Sequence, residues 1–411
     1  MSRIIVVGAG AAGLMAALFA GRAGASVIVL EHREKPGKKL YITGKGRCNC
    51  TNDCDAGDFL REVARNPRFL YSALRFFSPR DLMALLEEAG CPVTVQRGRR
   101  VFPASEKASD VTRALVSQCE KAGVRILLHR EVTSIRLRDG RAAGVVLSGG
   151  EIMEADAVIL ATGGLSYPGT GSTGDGFRFA AALGHTVLPP VASLVALETA
   201  DAWPLAPQGL SLKNVSLTLK EGRKTLYSGL GEMLFTHFGI SGPLVLEASC
   251  HLPEKASDAS LLLDLKPGLT REQLDARLLR EFAAAGAKRL SGVLPSLLPH
   301  RLADLFPSLC GLPEDLRCSQ VTVALREKLA TTLKALPVAI RARRPIAEAV
   351  VTRGGVSVKE IQPATMESRL VPGLYLAGEL IDVDAHTGGY NLQIAFSTGA
   401  LAGTSAARRG A

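Results

Sequence analysis

The stretch Ile4-Ile5-Val6-Val7-Gly8-Ala9-Gly10-Ala11-Ala12-Gly13 decides the fold. Its β-branched run predicts a strand, the Gly-rich hexapeptide a tight turn, and the Ala/Leu-rich segment Leu14 to Ala23 a helix. In that order Gly8 permits the turn, Gly10 lets a pyrophosphate approach the backbone, and Gly13 lets helix and strand pack closely. The helix N-terminus adds partial positive charge. Ser26-Val27-Ile28-Val29-Leu30 predicts a second strand, ending at Glu31, where a dinucleotide fold carries its ribose-binding carboxylate. An acid there, rather than a basic residue, favours a free 2′-hydroxyl and so FAD or NAD over NADP.

Two further Gly turns follow expected strands: Ala161-Thr162-Gly163-Gly164 after Ala155 to Leu160, and Gly378-Glu379 after Gly373 to Ala377. A site assembled from both chain ends encloses its ligand. That suits a permanently held FAD better than an NAD that must come and go. A second GxGxxG, Gly169-Thr170-Gly171-Ser172-Thr173-Gly174, precedes an expected helix at Phe177 to Leu183. Tyr167-Pro168 separates it from the strand and no acid closes a following strand, so the expectation is an active-site loop and no separate NAD(P) fold.

Composition narrows the class. The 411 residues, 47% hydrophobic with 42 glycines, describe a multi-domain α/β protein, and the net charge of +10 favours anionic partners. Eight scattered cysteines fit a reducing compartment, and Cys48-Asn49-Cys50 with Cys54 matches no zinc or CxxC spacing, so no metal is expected. The uncharged run Ile4 to Gly21 carries Gly8, Gly10 and Gly13 and lacks a basic leader, which argues against a signal peptide or membrane anchor. The expectation is a cytoplasmic protein without a membrane partner. The sequence sets no oligomeric state.

Wider motifs place the chain. Gly37-Lys38-Lys39, Gly44-Lys45-Gly46-Arg47-Cys48-Asn49, Gly163 to Pro168, Thr170 to Gly176, Phe235-Thr236-His237, Gly239 to Pro243, Thr352 to Val356 and Gly378-Glu379 through Gln393 resemble the glutathione-reductase-like FAD superfamily. Within it they resemble the BaiN-like (YhiN-like, aminoacetone-oxidase-like) flavoproteins over nearly the whole chain. The resemblance implies that Gly8, Gly10, Ala12, Gly13 and Glu31 hold the ADP half of FAD. Lys39, Arg47, Asn49, Thr162 and Gly163 would lie near the ribityl-phosphate or flavin edge. Gly378, Glu379 and Asp382 would meet the pyrophosphate and ribityl chain, and Gly389, Tyr390, Asn391 and Leu392 would open a helix, running through Gly399, toward the flavin pyrimidine.

The expected architecture is α/β: a discontinuous Rossmann-type FAD-binding domain (1–190 and 345–411) with an inserted β-rich substrate domain (191–255, returning near 340–355) and a helical subdomain (256–340). Pro189-Pro190 marks the first boundary, Val215 to Leu219 alternates as strands do, and Leu274, Leu278 and Phe282 repeat at helical spacing. The chemistry expected is an NAD(P)H-using FAD oxidoreductase reducing a conjugated C=C bond, with rRNA uridine favoured over a small enone or steroid. A peroxide-producing amine oxidase and a non-catalytic flavoprotein stay open. His237 is the first candidate proton donor, with Cys48 and Tyr390 behind it. Arg97, Arg99 and Arg100 form a basic run that an RNA backbone could contact.

Overall fold

Residues 1–409 are described by the computed structural model. The chain forms two units, Met1–Ser193 with the segment from Pro345 onward, and Leu194–Arg344. The first is built on a five-stranded parallel sheet in the order Leu374–Leu376, Ala157–Leu160, Arg3–Val7, Ser26–Leu30, Arg125–Leu127. Its strands are short apolar runs because both faces of the sheet are buried. Ile4, Val6, Val27, Val29, Val158 and Ile159 all lie in one core.

Helix Ala11–Arg22 leaves the Gly turn and packs against the C-terminal helix, Tyr390–Arg409. That last helix runs about ten residues past the expected stop at Gly399. Gly399 and Gly403 sit inside it because a Cβ on either would fall 2.3 and 2.0 Å from the Ala12 and Ala16 carbonyl oxygens. These glycines set the spacing between two helices; they do not end one.

Pro189-Pro190 does not end the first block. It lies within strand Val187–Ser193, which pairs with Val351–Val356 alone and bulges between Leu188 and Val191. A bulged two-stranded ribbon tolerates the missing amide donors. The crossing into the second unit falls four residues after Pro189, between Ser193 and Leu194.

The second unit holds a closed antiparallel barrel in the order Leu197–Thr199, Gly239–Ser241, Lys224–Thr236, Ser211–Glu221, Ala259–Asp264, Leu336–Arg343. Ala259–Asp264 comes from the region expected to be helical, whereas Leu336–Arg343 begins there and runs into the expected return near 340. Both alternate, with Leu261 and Leu263 on one and Leu336, Val338 and Ile340 on the other turned into the core. Between them lie helices Arg271–Ala285, His300–Leu309 and Val323–Lys334, and Leu274, Leu278 and Phe282 are buried as their spacing requires. Val351–Val356 belongs to the first unit. Among the described residues no helix is long and apolar enough to cross a membrane.

Candidate FAD site

The Gly turn forms as its composition demands. Gly8 takes φ +99°, its N–H donates to the Leu30 carbonyl at 2.8 Å, and a Cβ on Gly13 would lie 1.8 Å from the Gly8 carbonyl oxygen. Gly10 differs: a Cβ there would meet nothing within 4 Å. It caps a helix that has neither a side-chain cap nor an acid in its first turn, so the leading N–H groups lack a partner from the helix or from a cap. Empty space in front of unsatisfied donors is a cradle for an anion.

Glu31 closes one side of that cradle. Its carboxylate accepts from the Ala9 N–H and the Arg33 N–H, both at 2.9 Å. The acid therefore braces the Gly turn as well as facing the cleft.

The cleft in front of the turn has about 1040 Å³ of empty space, some of it open to solvent. Gly8, Gly10, Ala12, Glu31, Lys39, Thr162, Gly163, Glu379, Asn391 and Leu392 line it, so ten of the sixteen residues expected at the cofactor share one cavity. The buried Thr162 hydroxyl has no hydrogen-bond partner. It marks a place where a ligand's polar group is wanted.

In another part of the cleft wall a partly buried network joins four segments distant in sequence. The Lys39 ammonium donates to Glu379 and to the Ser166 hydroxyl, both at 2.8 Å. Glu379 also accepts from Ser166 Oγ at 2.9 Å and from the Thr352 N–H at 2.7 Å. Thr352 Oγ1 in turn accepts the Leu165 and Ser166 N–H groups. Burial would raise the Glu379 pKa, but the Lys39 charge and these hydrogen bonds outweigh it and hold the carboxyl below its ordinary range.

Other expected residues support the cleft from behind. Gly13 is a packing contact. Gly378 donates to Thr398 Oγ1 at 3.0 Å, and a Cβ on it would press on Ala12. Asn49 accepts from the Gly389 N–H at 3.0 Å and donates to the Thr51 and Val101 carbonyls. Gly389 lies so close to Thr51 that a Cβ would sit 2.4 Å from its carbonyl oxygen.

Two residues are held elsewhere. Arg47 is pinned over the Phe102 ring and donates to Gln96 and Glu106. Asp382 pairs with Arg65 and Asn66. Neither lines the cleft.

Sequence reasoning gave no role to His32, Arg130, Glu131 and Asp175, which also line the cavity. The loop 169–174 was a visible signal: Thr170, Gly171, Ser172 and Thr173 contribute to this same cleft. No strand leads directly into that loop, which follows a single helical turn at Pro168–Thr170.

The three candidate proton donors differ in access. Cys48 is fully buried, and Tyr390 is buried with its ring edge-on to Phe59. Burial, with Glu62 nearby, pushes the Tyr390 phenol up, so it stays protonated. His237 is exposed in the turn between strands Lys224–Thr236 and Gly239–Ser241, edge-on to Phe238. Arg97, Arg99 and Arg100 are exposed, and Arg99 is paired with Asp58 at 2.8 Å.

A family described as HI0933-like protein Rossmann domain matches residues 2–405. The chain is 34% identical to the 3-dehydro-bile acid delta(4,6)-reductase of Clostridium scindens, covering 100% of both chains. It is also 34% identical to the ribosomal RNA dihydrouridine synthase of Escherichia coli K12, over 96% of this chain and 95% of that protein. Among solved structures it resembles the 3-ketosteroid-delta4-(5alpha)-dehydrogenase of Rhodococcus jostii RHA1 in fold, with a TM-score of 0.53 at 17% identity, covering 99% of this chain and 97% of that one. The cradle at Gly10, the orphan Thr162 hydroxyl and the volume of the cleft fit FAD.

Proposed function

Since the chain belongs to the HI0933-like Rossmann family and is an FAD-dependent oxidoreductase, we propose that it reduces a conjugated C=C bond, with uridine in ribosomal RNA as the favoured substrate. The observation that carries this is the equal, near full-length similarity to two proteins whose names both describe saturation of a conjugated double bond. The same equality keeps a small enone as the second reading. The net charge of +10 favours the polyanion. NADH or NADPH is the reductant in this reading.

FAD, when bound, supplies the hydride chemistry. The residues of the chain do the rest. The uncapped helix at Ala11 and the Gly10 cradle would hold the pyrophosphate, and Glu31 would accept from ribose hydroxyls. Lys39 keeps a positive charge fixed on the cleft wall, held by Glu379 and Ser166. Asn391 accepts from the Ala385 N–H and donates to the Ala385 and His386 carbonyls, which fixes the start of the C-terminal helix beside Leu392. His237, the solvent-exposed candidate, donates the proton that completes the reduction.

The test is anaerobic reduction with NADH or NADPH followed by reoxidation with rRNA, an enone or O2. Reoxidation by rRNA and missing dihydrouridine in rRNA from a deletion strain support the RNA reading. Parental dihydrouridine at every site with fast enone turnover selects the second. Fast O2 turnover with an amine overturns both. His237→Ala is expected to spare reduction by NAD(P)H and slow transfer to substrate.

A further inference from the structure

Cys48 and Cys50 flank Asn49, and both are fully buried. The Cys50 thiol lies 3.9 Å from the Cys48 sulfur and 3.3 Å from the Cys48 carbonyl oxygen. Cys48 holds a left-handed φ of +58°, which turns the chain back so that two alternate residues bring their sulfurs together. Their backbones are anchored, Cys48 N–H to Thr43 O at 3.0 Å and Cys50 N–H to Val101 O at 2.8 Å.

We propose that Cys48 and Cys50 are an oxidation-sensitive dithiol, closed to a disulfide by hydrogen peroxide, and that closure loosens the grip of Asn49 on the Gly389 turn and so the hold on FAD. Two residues apart, their Cα atoms are within about 7.6 Å at full extension, and the bend at Cys48 shortens this toward the disulfide range.

The chemistry balances. The Cys48 thiolate attacks one peroxide oxygen and the O–O bond breaks, giving a Cys48 sulfenic acid and, with a proton, water. The Cys50 sulfur then attacks the Cys48 sulfur, the S–O bond breaks, and a second water leaves. Two thiols lose two electrons in all, and one peroxide is reduced to two waters.

The two thiols are unequal in the required sense. The hydrogen bond from Cys50, aided by Thr43, lowers the Cys48 pKa against burial, while the same bond and burial raise that of Cys50. Cys54, the third thiol of the segment, is pushed up to about 11 by burial and does not compete as nucleophile.

Closure must draw the sulfurs from 3.9 Å to about 2.05 Å, and the residue between them has to move. That residue, Asn49, bonds Gly389, Thr51 and Val101, and Gly389 has no slack against Thr51. Asn391 and Leu392, two and three residues beyond, line the cleft.

The experiment treats the FAD-loaded protein with hydrogen peroxide, alkylates free thiols, digests with trypsin and follows FAD release on dilution by fluorescence. Two of the eight free thiols should disappear. The peptide beginning at Cys48 should carry a single alkyl group, on Cys54, and weigh about two daltons less than its singly alkylated reduced form, with fragmentation placing the link between Cys48 and Cys50. FAD should leave about fivefold faster, as for the loss of one ordinary hydrogen bond, and a reductant should restore it.

Cys50→Val, apolar and slightly larger than Cys, should retain FAD and lose both responses. If that variant does not fold, the wild-type peptide map and release rate decide alone. A link through Cys54, over-oxidation without a disulfide, release unchanged by the disulfide, or peroxide-driven release in Cys50→Val each overturn the proposal.

Discussion

Two parts of the cleft wall are built by different physics. In one the Gly8 to Gly13 turn, helix Ala11–Arg22 and Glu31 come from a single stretch of chain and act mainly through backbone donors. In the other, Lys39, Ser166, Thr352 and Glu379 arrive from four separate segments and act through side chains. The first fails when backbone spacing changes. The second fails when one charge loses its partner.

The largest expected effect breaks the first part. Gly13→Val drives a side chain into the Gly8 carbonyl oxygen, where even a Cβ would lie at 1.8 Å, and should cost about 4 kcal/mol or more, read as loss of folded protein in thermal unfolding. Gly10→Ala sharpens the point, since its Cβ meets no neighbour. It should leave apoprotein stability within about 0.5 kcal/mol of wild type while abolishing FAD retention in gel filtration. Equal stability loss in both variants would mean that Gly10 is a packing position and that the cradle is misread.

The other part should respond next. Lys39→Met leaves the Glu379 carboxylate facing the Thr352 N–H and Ser166 without a countercharge, and should cost about 3 kcal/mol by chemical denaturation. The pH dependence has a definite sign. The folded pKa of Glu379 is depressed, so its contribution is present above the ordinary glutamate value of about 4.3 and is lost as pH falls through the lower folded value. Glu379→Gln should therefore flatten the acid limb of the stability curve, and an unchanged acid limb would remove Glu379 from the account.

Glu31→Ala spans both kinds of physics. FAD retention should weaken by about 1.5–3 kcal/mol, as for a hydrogen bond to a charged acceptor. Apoprotein stability should fall as well, because Ala9 and Arg33 lose their acceptor. Weakened FAD retention with unchanged stability would show that Glu31 serves the ribose alone.

The contrast also explains what the sequence revealed. Strand, Gly turn, helix and acid are local, so Gly8, Gly10 and Glu31 could be placed by spacing. Thr352 and Ser166 lie in stretches that carry the resemblance, but spacing gave them no role, because that role exists only once residues 39, 166, 352 and 379 meet. Arg47, placed near the flavin edge by resemblance alone, shows the same limit: its contacts with Phe102 and Glu106 join segments that no local spacing connects. Pro189-Pro190 lies within four residues of the boundary at Ser193, although the prolines themselves sit inside a bulged two-stranded ribbon. The barrel strands Ala259–Asp264 and Leu336–Arg343 did alternate, but the helices and prolines between them dominated the reading.

The smallest effect concerns the basic run, where the structure separates three arginines that sequence treated alike. Arg99 is paired with Asp58, which also holds Arg61, so removing its charge leaves that carboxylate partnered. Arg100 donates only to the Arg97 carbonyl, and among the described residues neither Arg97 nor Arg100 forms an ion pair with a carboxylate. If RNA binds here, Arg97 and Arg100 carry the phosphate contacts. The double substitution Arg97→Ala/Arg100→Ala should weaken rRNA binding and lower the slope of log affinity against log salt by about 1.4, at about 0.7 per contact with a single strand. Arg99→Ala should barely change the slope, and all variants should keep wild-type FAD content and NAD(P)H oxidation. A drop for Arg99→Ala equal to that of the other two would mean that Asp58 releases Arg99 to the RNA. No change in any of them would move the RNA surface away from this loop while leaving the flavin cleft as described.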